Sequence, residues 1–300
     1  MANKNLDLYR GCLLGLAVGD AVGTTVEFKS RGSFTPVTDM LGGGPFGLKP
    51  GQWTDDTSMA LCLATSLVEN NGFDAQDQMQ RYLRWYREGY LSSTGSCFDI
   101  GGTILQALNR FSQTGQPMSG STDPYSAGNG SLMRLAPVPM FYASEPALAV
   151  KYAGESSRTT HGAAECVQAC ELYAEMLVKA LDGAEKNEIL SENSLASIGS
   201  DKINAIARGE YQSKSTYQIK GSGYVVDALE AALWCFWKST SFAEAVLAAT
   251  NLGDDADTTA AICGQLAGAF YGEAGIPARW LEKLYMRSEI STLAEKLAAH

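Results

Sequence analysis

Apolar residues recur at spacings of three and four positions along most of this chain. That spacing places them on one face of an α-helix, and the alternating Val, Ile and Thr patterns of β-strands are scarce. We therefore predict an all-α fold, a single compact multi-helix domain that spans residues 1–300. The predicted helices cover residues 6–22, 55–69, 76–88, 101–111, 131–142, 163–181, 225–237, 242–250, 258–271 and 290–299.

The first predicted helix carries a glycine at every fourth position, namely Gly11, Gly15, Gly19 and Gly23. Residues four apart lie on the same face of a helix, so these glycines form one smooth stripe. A stripe without side chains lets the backbone of a neighbouring helix approach closely. We expect another helix to pack tightly along this face.

Three longer segments separate the predicted helices. Residues 24–53 are rich in glycine, residues 114–130 carry Gly, Pro, Ser and Asn, and residues 182–222 are polar. Long irregular segments in a compact domain are usually functional or disordered. The first two border the motifs described below, and we expect them to serve function. In the third we predict only a short helix near residues 203–208.

The charge and hydropathy of the chain exclude two classes of protein. The net charge is −10, which argues against nucleic-acid binding because that needs clustered Lys and Arg. No run of about 18 apolar residues occurs, so no membrane span is expected. The first residues form no apolar signal segment, and we predict a cytoplasmic, monomeric protein.

The cysteines and histidines limit the chemistry that is available. The seven cysteines include no Cys-x-x-Cys pair, and most lie in apolar helical stretches. They are best interpreted as buried thiols in a reducing compartment. Only His161 and His300 carry imidazoles. A zinc site built on histidine is nearly excluded, and any metal must be held mainly by oxygen.

Two acidic segments stand at predicted helix starts. They are Trp53-Thr54-Asp55-Asp56-Thr57 and Gly253-Asp254-Asp255-Ala256-Asp257-Thr258-Thr259. Either one alone can be explained by helix capping, because Asp and Thr are good N-caps and the negative charge suits the helix dipole. Capping needs one acceptor, however, and these segments bring five aspartates. If they meet in the fold, a hard divalent cation is needed to neutralise them.

Other polar residues have both a structural and a functional interpretation. Residues 128–131, Gly-Asn-Gly-Ser, can open a helix and bind a diphosphate with free N–H groups, or form a plain turn and cap. His161 can cap the next helix, and Tyr224 can be an ordinary buried tyrosine or an aromatic face. By themselves, Glu27 fits a surface loop and Asp99 fits an N-cap.

Seven pieces of the chain, in the same order, resemble the ADP-ribosylglycohydrolase family, which includes the dinitrogenase reductase-activating glycohydrolase and the arginine- and serine-directed ADP-ribosyl hydrolases. The resemblance runs from about residue 10 to residue 272. Its pieces are the glycine-stripe helix, Trp53-Thr54-Asp55-Asp56-Thr57, Cys97-Phe98-Asp99-Ile100-Gly101, residues 128–137, Thr160-His161, residues 223–232 and residues 252–259.

The resemblance implies an all-α domain with a binuclear metal cleft that holds two Mg²⁺ ions, with Mn²⁺ as a substitute. Asp254 is not counted as a ligand. The implied metal ligands are Thr54, Asp55, Asp56, Asp255, Asp257 and Thr258. The implied catalytic residues are Glu27, Asp55, Asp56 and Asp99, and the implied substrate-binding residues are Asn129, Gly130, Ser131, Met133, His161, Gly223 and Tyr224.

The implied reaction is removal of ADP-ribose from a modified protein side chain, with free ADP-ribose as product. Arginine, joined through an N-glycosidic bond, is the first choice of acceptor. Water activated by the metals would attack the ribose anomeric carbon. Asp55 and Asp56 would hold the metals and orient that water, while Glu27 or Asp99 would handle the proton of the leaving group. The determinants of the acceptor are expected in residues 24–53.

Two alternatives remain open. One is a hydrolase of serine-linked or small-molecule ADP-ribosyl substrates. The other is a catalytically weak binding or immunity protein that sequesters an ADP-ribosylating toxin. The intact acidic set favours an enzyme, because a scaffold has no use for so many clustered carboxylates. A blocking role would be favoured by an added N-terminal arm, and only about nine residues precede the first motif.

Overall fold

Helices connected by loops and short 3-10 turns make up the part of the chain that the computed structural model describes, residues 5–191 and 200–300. Within these ranges the only β pairing consists of three isolated bridges. The helices are α1 (Leu6–Gly23), α2 (Asp55–Asn70), α3 (Ala75–Glu88), α4 (Gly102–Thr114), α5 (Pro137–Phe141), α6 (Pro146–Arg158), α7 (Ala164–Leu181), α8 (Lys186–Ile189), α9 (Asp201–Ala207), α10 (Val225–Lys238), α11 (Phe242–Thr250), α12 (Ala256–Tyr271), α13 (Ala278–Lys283) and α14 (Arg287–Ala298).

The all-α prediction is confirmed, and the helices pack around one hydrophobic core. All predicted helices except 131–142 are present with ends that differ by three residues or fewer. Helices α6, α8 and α13 were not predicted. Part of the polar segment 182–222, residues 192–199, lies outside the described residues. Among the described helices, none combines the length and apolar character that a bilayer span requires. The seven cysteines are unpaired and mostly buried.

The prediction of a helix over 131–142 is wrong in its first half. Residues 131–134 form turns, and α5 begins only at Pro137. Proline has no N–H to donate, so Pro137 cannot close a helical bond to the carbonyl of Met133. The side chain of Gln265 takes that place: its Nε2 donates to Met133 O at 2.8 Å and its Oε1 accepts from Ala136 N at 2.9 Å.

Helices α1 and α12 form the most extensive helix pair in the fold. The predicted close approach along the glycine stripe is confirmed, because a Cβ on Gly19 would lie 2.6 Å from the carbonyl carbon of Ala260. Helix α12 contributes glycines of its own, and a Cβ on Gly268 would lie 2.6 Å from the carbonyl carbon of Gly11. A Cβ on Gly23 would lie 2.7 Å from the backbone nitrogen of Asp257. The end of α1 is therefore pressed against the acidic start of α12.

The long segment between α1 and α2 is tied down by side chains. Arg31 donates to the carbonyls of Leu252, Thr216 and Ile219 at 3.2, 2.6 and 2.7 Å. The amide of Asn251 pairs with the backbone of Val37 in both directions. Because these partners are far apart in sequence, the segment is held in one path across the domain. That path carries Glu27 to the start of α12.

Replacing Gly19 by Ala should destabilise the fold. Alanine favours a helix over glycine by about 1 kcal/mol, whereas overpacking a core costs about 1–3 kcal/mol. Here the added methyl group meets backbone atoms of α12 that cannot turn aside. We expect the cost of overpacking to exceed the gain in helix propensity, so that the free energy of unfolding falls by about 1–3 kcal/mol. Urea denaturation measures this change.

Gly102 is the matched control, because a Cβ there meets no atom within 4 Å and the residue opens α4. Gly102→Ala should leave the free energy of unfolding unchanged or raise it by up to about 1 kcal/mol. Equal stability of the two variants would show that α1 and α12 do not depend on glycine contact.

Candidate active site

The two acidic helix starts meet in the fold. The hydroxyl of Thr54, at the start of α2, lies 3.4 Å from Oδ2 of Asp257 in α12. In return, the Thr258 hydroxyl of α12 donates to Oδ1 of Asp56 at 3.2 Å. Residues about 200 positions apart in sequence thus share one site. The condition for a cation site that the sequence left open, namely that the segments meet, is satisfied.

Neither helix start uses its own side chains for capping. The N-cap residues are Thr54 for α2 and Asp255 for α12, and neither makes a capping hydrogen bond with its side chain. The interpretation that capping alone explains these residues does not hold. The side-chain oxygens of the two helix starts face each other, and those of Asp55, Asp255, Asp257 and Thr258 also line the adjoining cavity.

The start of α2 is held by Asp20 of α1, a residue that the sequence analysis did not assign. Its Oδ1 accepts from the backbone N–H of Thr54 at 2.9 Å, and its Oδ2 accepts from the backbone N–H of Thr57 at 3.0 Å. The hydroxyl of Thr54 also donates to Oδ1 at 2.9 Å, and the hydroxyl of Thr57 donates to Oδ2 at 2.6 Å. Asp20 is fully buried. A carboxylate within the apolar stretch 11–23, which carries the glycine stripe of α1, was the signal that could have identified it.

Glu27 and Asp99 reach the site from loops. Glu27 follows the 3-10 turn Thr24–Val26 and is only 3% exposed, so it is not a surface loop residue. Asp99 has φ +60°, and the N-cap of α4 is Gly101, so Asp99 does not cap that helix. Carboxylate oxygens of Glu27, Asp99 and Asp257 lie within 4.8 Å of one another.

Burial of these carboxyl groups makes their ionisation costly. Desolvation, followed by the charge of Asp99, raises the pKa of Glu27 to about 9. Desolvation, with Asp20 and Asp255 nearby, raises the pKa of Asp99 to about 7. Burial likewise raises the pKa values of Asp55, Asp56 and Asp257 well above the ordinary range, with neighbouring carboxylates adding to it. The site as a whole favours either protons or a positive ion.

Three oxygens in the cluster have no hydrogen-bond partner among the described residues. They are Oε2 of Glu27, Oδ2 of Asp56 and Oδ1 of Asp257, and all three are buried. An unsatisfied buried carboxylate oxygen is costly, and a divalent cation with oxygen ligands removes that cost. The donor set of carboxylates and threonine hydroxyls suits such an ion. The cluster could therefore bind a divalent metal.

A cavity of about 690 Å³ opens onto the cluster. Asp55, Asp99, Asp255, Asp257, Thr258 and Glu27 line it on one side, whereas Thr54 and Asp56 lie behind that wall. Gly128, Asn129, Gly130, Met133 and His161 line it on the other. The two sides are connected by Asn129, whose Nδ2 donates to Oδ2 of Asp255 at 2.7 Å.

Residues 128–131, which were predicted to open a helix, instead form a series of turns in the wall opposite the cluster. It is held by Arg134, which is fully buried and donates to Gly130 O at 3.1 Å and to Thr160 Oγ1 at 2.7 Å. Ser131 lies behind this wall, where its hydroxyl accepts from Ser157 at 2.8 Å. It lines neither of the two cavities described here.

His161 does not open a helix either, since α6 ends at Arg158 and α7 begins at Ala164. Its Nδ1 lies 2.9 Å from the Thr160 hydroxyl. Burial, with the positive charge of Arg134 nearby, lowers the pKa of His161 to about 3. The imidazole is therefore neutral at physiological pH and can offer one donor or one acceptor to the cavity.

A second cavity of about 820 Å³ adjoins the first and shares Thr103, Gly128 and Gly223 with it. Tyr224 lies in its wall, and the tyrosine hydroxyl donates to Glu165 and accepts from Lys202 at 2.8 Å. The two cavities together form one trough with Tyr224 at one end and the carboxylates at the other.

The chain belongs to the ADP-ribosylglycohydrolase family, whose family model matches residues 1–300. It is 48% identical over 292 residues to the ADP-ribosylarginine hydrolase Tri1 of Pseudomonas putida (strain GB-1), covering 97% of this chain and 78% of that protein. It is 43% identical over 295 residues to the ADP-ribosylarginine hydrolase Tri1 of Serratia proteamaculans (strain 568), covering 98% and 80%. A solved ADP-ribosylglycohydrolase-related protein complex contains a chain that superimposes with a TM-score of 0.89 at 44% identity, covering 99% of this chain and 98% of that one.

Asp20→Asn should weaken binding of a divalent metal without changing any carboxylate that faces the cluster. The amide nitrogen of Asn cannot accept a hydrogen bond, so one threonine of the pair Thr54 and Thr57 loses its acceptor. Residues that orient metal ligands typically contribute about 10–100-fold to affinity. We expect a loss in that range for Mn²⁺, measured by the electron paramagnetic resonance signal of the free ion.

Asp39→Asn is the control for a general loss of stability. Asp39 also accepts several hydrogen bonds, from Arg279, Trp280 and Lys283, but it belongs to a different part of the fold. It should lower stability and leave Mn²⁺ affinity unchanged. Equal Mn²⁺ affinity in Asp20→Asn and wild type would remove the positioning role.

The raised pKa values also predict how stability depends on pH. The pKa of Glu27 rises from 4.5 to about 9 on folding, and that of Asp99 from 3.8 to about 7. At pH values between the unfolded and the folded pKa of each group, the folded state binds more protons than the unfolded state. The contribution of these two groups to the stability of the metal-free protein should therefore be fully present below their unfolded pKa values of 4.5 and 3.8 and be lost as the pH rises towards 9.

A bound divalent cation should oppose this trend, because it replaces the protons on the carboxylates. The rise in Tm that saturating Mg²⁺ produces should be larger at pH 8.5 than at pH 5.5, measured by calorimetry with and without chelator. A Tm gain that is the same at both pH values would contradict the assignment of these carboxyl groups to a cation site.

Proposed function

We propose that this protein is an ADP-ribosylarginine hydrolase, which cleaves the N-glycosidic bond between ribose and an arginine side chain of a modified protein. The observation that carries the proposal is the meeting of two acidic helix starts, through Thr54 with Asp257 and Thr258 with Asp56, beside a large trough. Two relatives at 48% and 43% identity are named as hydrolases of ADP-ribosylarginine.

We assign the trough to the ADP-ribosyl group. The backbone N–H of Gly130 suits a diphosphate, with Met133 and the neutral His161 beside it, whereas the N–H of Asn129 donates to Gly223 O at 3.1 Å. Tyr224 offers an aromatic face for adenine in the second cavity, and Gly223 lines both cavities beside it. Ser131, behind the wall, would act by holding these turns through its bond to Ser157.

We propose two Mg²⁺ ions as the resident cofactor, with Mn²⁺ able to replace them. Their ligands would be Thr54, Asp55, Asp56, Asp255, Asp257 and Thr258, and the unpaired buried oxygens of Asp56 and Asp257 support the assignment. Such ions supply Lewis acidity, lowering the pKa of water near the anomeric carbon and holding ribose hydroxyls.

The residues of the chain supply proton transfer and orientation. The bond from the ribose anomeric carbon to the guanidine nitrogen breaks, the water oxygen bonds to that carbon, one proton of the water passes to a carboxylate of the cluster, and the guanidine nitrogen gains a proton. Glu27 and Asp99 both face the trough and can deliver that proton. Asp55 and Asp56 orient the attacking water.

The cellular setting that we propose is the cytoplasm, with the protein as a monomer and ADP-ribosylated proteins as its partners. Seven unpaired cysteines suit a reducing compartment. The acidic balance of the chain does not favour nucleic acid as a partner.

The decisive experiment measures free ADP-ribose released from an arginine-ADP-ribosylated protein. Release should require Mg²⁺ and stop with a chelator, because the proposed ions would lower the pKa of the attacking water. Asp55→Asn and Asp257→Asn should each reduce turnover by at least ~100-fold and weaken metal binding. Each variant removes a buried carboxylate without changing side-chain size.

Asp77→Asn serves as the matched variant, since Asp77 pairs with Arg81 on α3, away from the trough, and it should retain wild-type turnover. Full activity of an Asp55→Asn, Asp257→Asn double variant would contradict the proposed function. Folded, metal-loaded protein that releases nothing from arginine would point to another acceptor or to a binding role.

A further inference from the structure

Three phenylalanine rings form a row beside the acidic cluster, and we call Phe28, Phe46 and Phe98 the phenyl row. The ring centroids of Phe28 and Phe46 are 6.5 Å apart at 75°, and those of Phe46 and Phe98 are 5.2 Å apart at 58°. The row joins two loops, the segment between α1 and α2 that carries Phe28 and Phe46 and the loop between α3 and α4 that carries Phe98. Phe28 is 67% exposed, and the other two are half-buried.

The phenyl row lies at the acidic end of the trough. Phe28 directly follows Glu27, and Phe98 directly precedes Asp99. Phe28 lines the cavity that contains the carboxylates but not the cavity of Tyr224. If ADP-ribose extends from Tyr224 to the carboxylates, the group attached to the ribose leaves the trough at the end where Phe28 stands.

The position of Phe28 is not explained by folding. Its φ of +62° is unfavourable for a side chain of this size. It is kept there because its N–H donates to Asp254 O at 2.7 Å while Asp254 N donates to Lys29 O at 2.8 Å. An exposed aromatic ring on a strained backbone contributes little to a core. Such outliers motivate a functional explanation.

The charge around the row favours a cationic ligand. Asp254 is exposed and lines the same cavity as Phe28. None of the described residues that line this cavity is a lysine or an arginine. Aromatic faces attract cations, and the planar guanidinium of arginine stacks on them well. A neutral acceptor would gain no such attraction.

We propose that the phenyl row, with Asp254 at its edge, receives the guanidinium and the aliphatic stem of the acceptor arginine. The inference rests on the proposed function and adds to it the residues that select the acceptor. The rings would hold the leaving group against the carboxylates. The preference for arginine would then reside mainly in the segment between α1 and α2, which carries Phe28 and Phe46.

The test uses Phe28→Leu and Phe46→Leu, which keep an apolar side chain and remove the ring face. A cation–π contact corresponds to a change of ~3- to 30-fold in affinity. We expect KM for an ADP-ribosylarginine peptide to rise by that factor in full-length, Mg²⁺-loaded protein. The calorimetric Kd for free ADP-ribose should stay near wild type because ADP-ribose lacks the acceptor, and kcat should stay near wild type if the contact is equally strong in the ground state and the transition state. Phe46→Tyr, which keeps a ring, should restore KM.

Tyr217→Leu is the matched control, because Tyr217 is 94% exposed and lines neither cavity. It should change nothing. An unchanged KM in both leucine variants, with an active wild type, would overturn this inference alone. A parallel rise in the Kd of ADP-ribose would also overturn it, since the rings would then support the whole trough. A wild type that releases no ADP-ribose from arginine would remove the proposed function and this inference together.

Discussion

The close contact of α1 with α12 is the constraint on which the candidate site depends. Glycine faces glycine along this pair, so backbone lies against backbone with no side chain between them. That proximity brings the end of α1, with Asp20, to the start of α12, with Asp257. It also sets the position of α2, because Asp20 holds the first turn of that helix. A helix pair spaced by ordinary side chains would keep the two acidic segments apart.

The chain separates the task of building the helix start from the task of presenting carboxylates. Asp20 satisfies the backbone donors of α2, so Asp55 and Asp56 are not used as caps. The unpaired Oδ2 of Asp56 follows from that division, and it lies in one cluster with the unpaired oxygens of Asp257 and Glu27. Buried polar atoms without partners are rare in folded proteins. Their concentration in one cluster argues for a ligand more strongly than the count of acidic residues does.

The sequence predicts the helices well because their apolar periodicity is local, as the bounds of α11 (Phe242–Thr250) show. It mispredicts residues 131–136 because a side chain 129 positions away, Gln265, competes for the backbone there. The acidic starts could be recognised as unusual, but their meeting depends on the packing of α1 against α12. Asp20 escaped notice because its partners lie 34 and 37 residues away. The phenyl row escaped for the same reason, since it joins two loops that are far apart in sequence.

The glycine contact also limits how such a protein can change over evolutionary time. In most helix pairs, a larger residue on one side can be accommodated by a smaller residue on the other. Here Gly11 and Gly15 face Gly268 and Gly264, and no residue is smaller than glycine. An enlargement on either helix therefore has no compensating substitution opposite it. The facing glycines of α1 and α12 must therefore be kept, whereas the loops that carry the phenyl row can change in sequence and alter the preference for the acceptor.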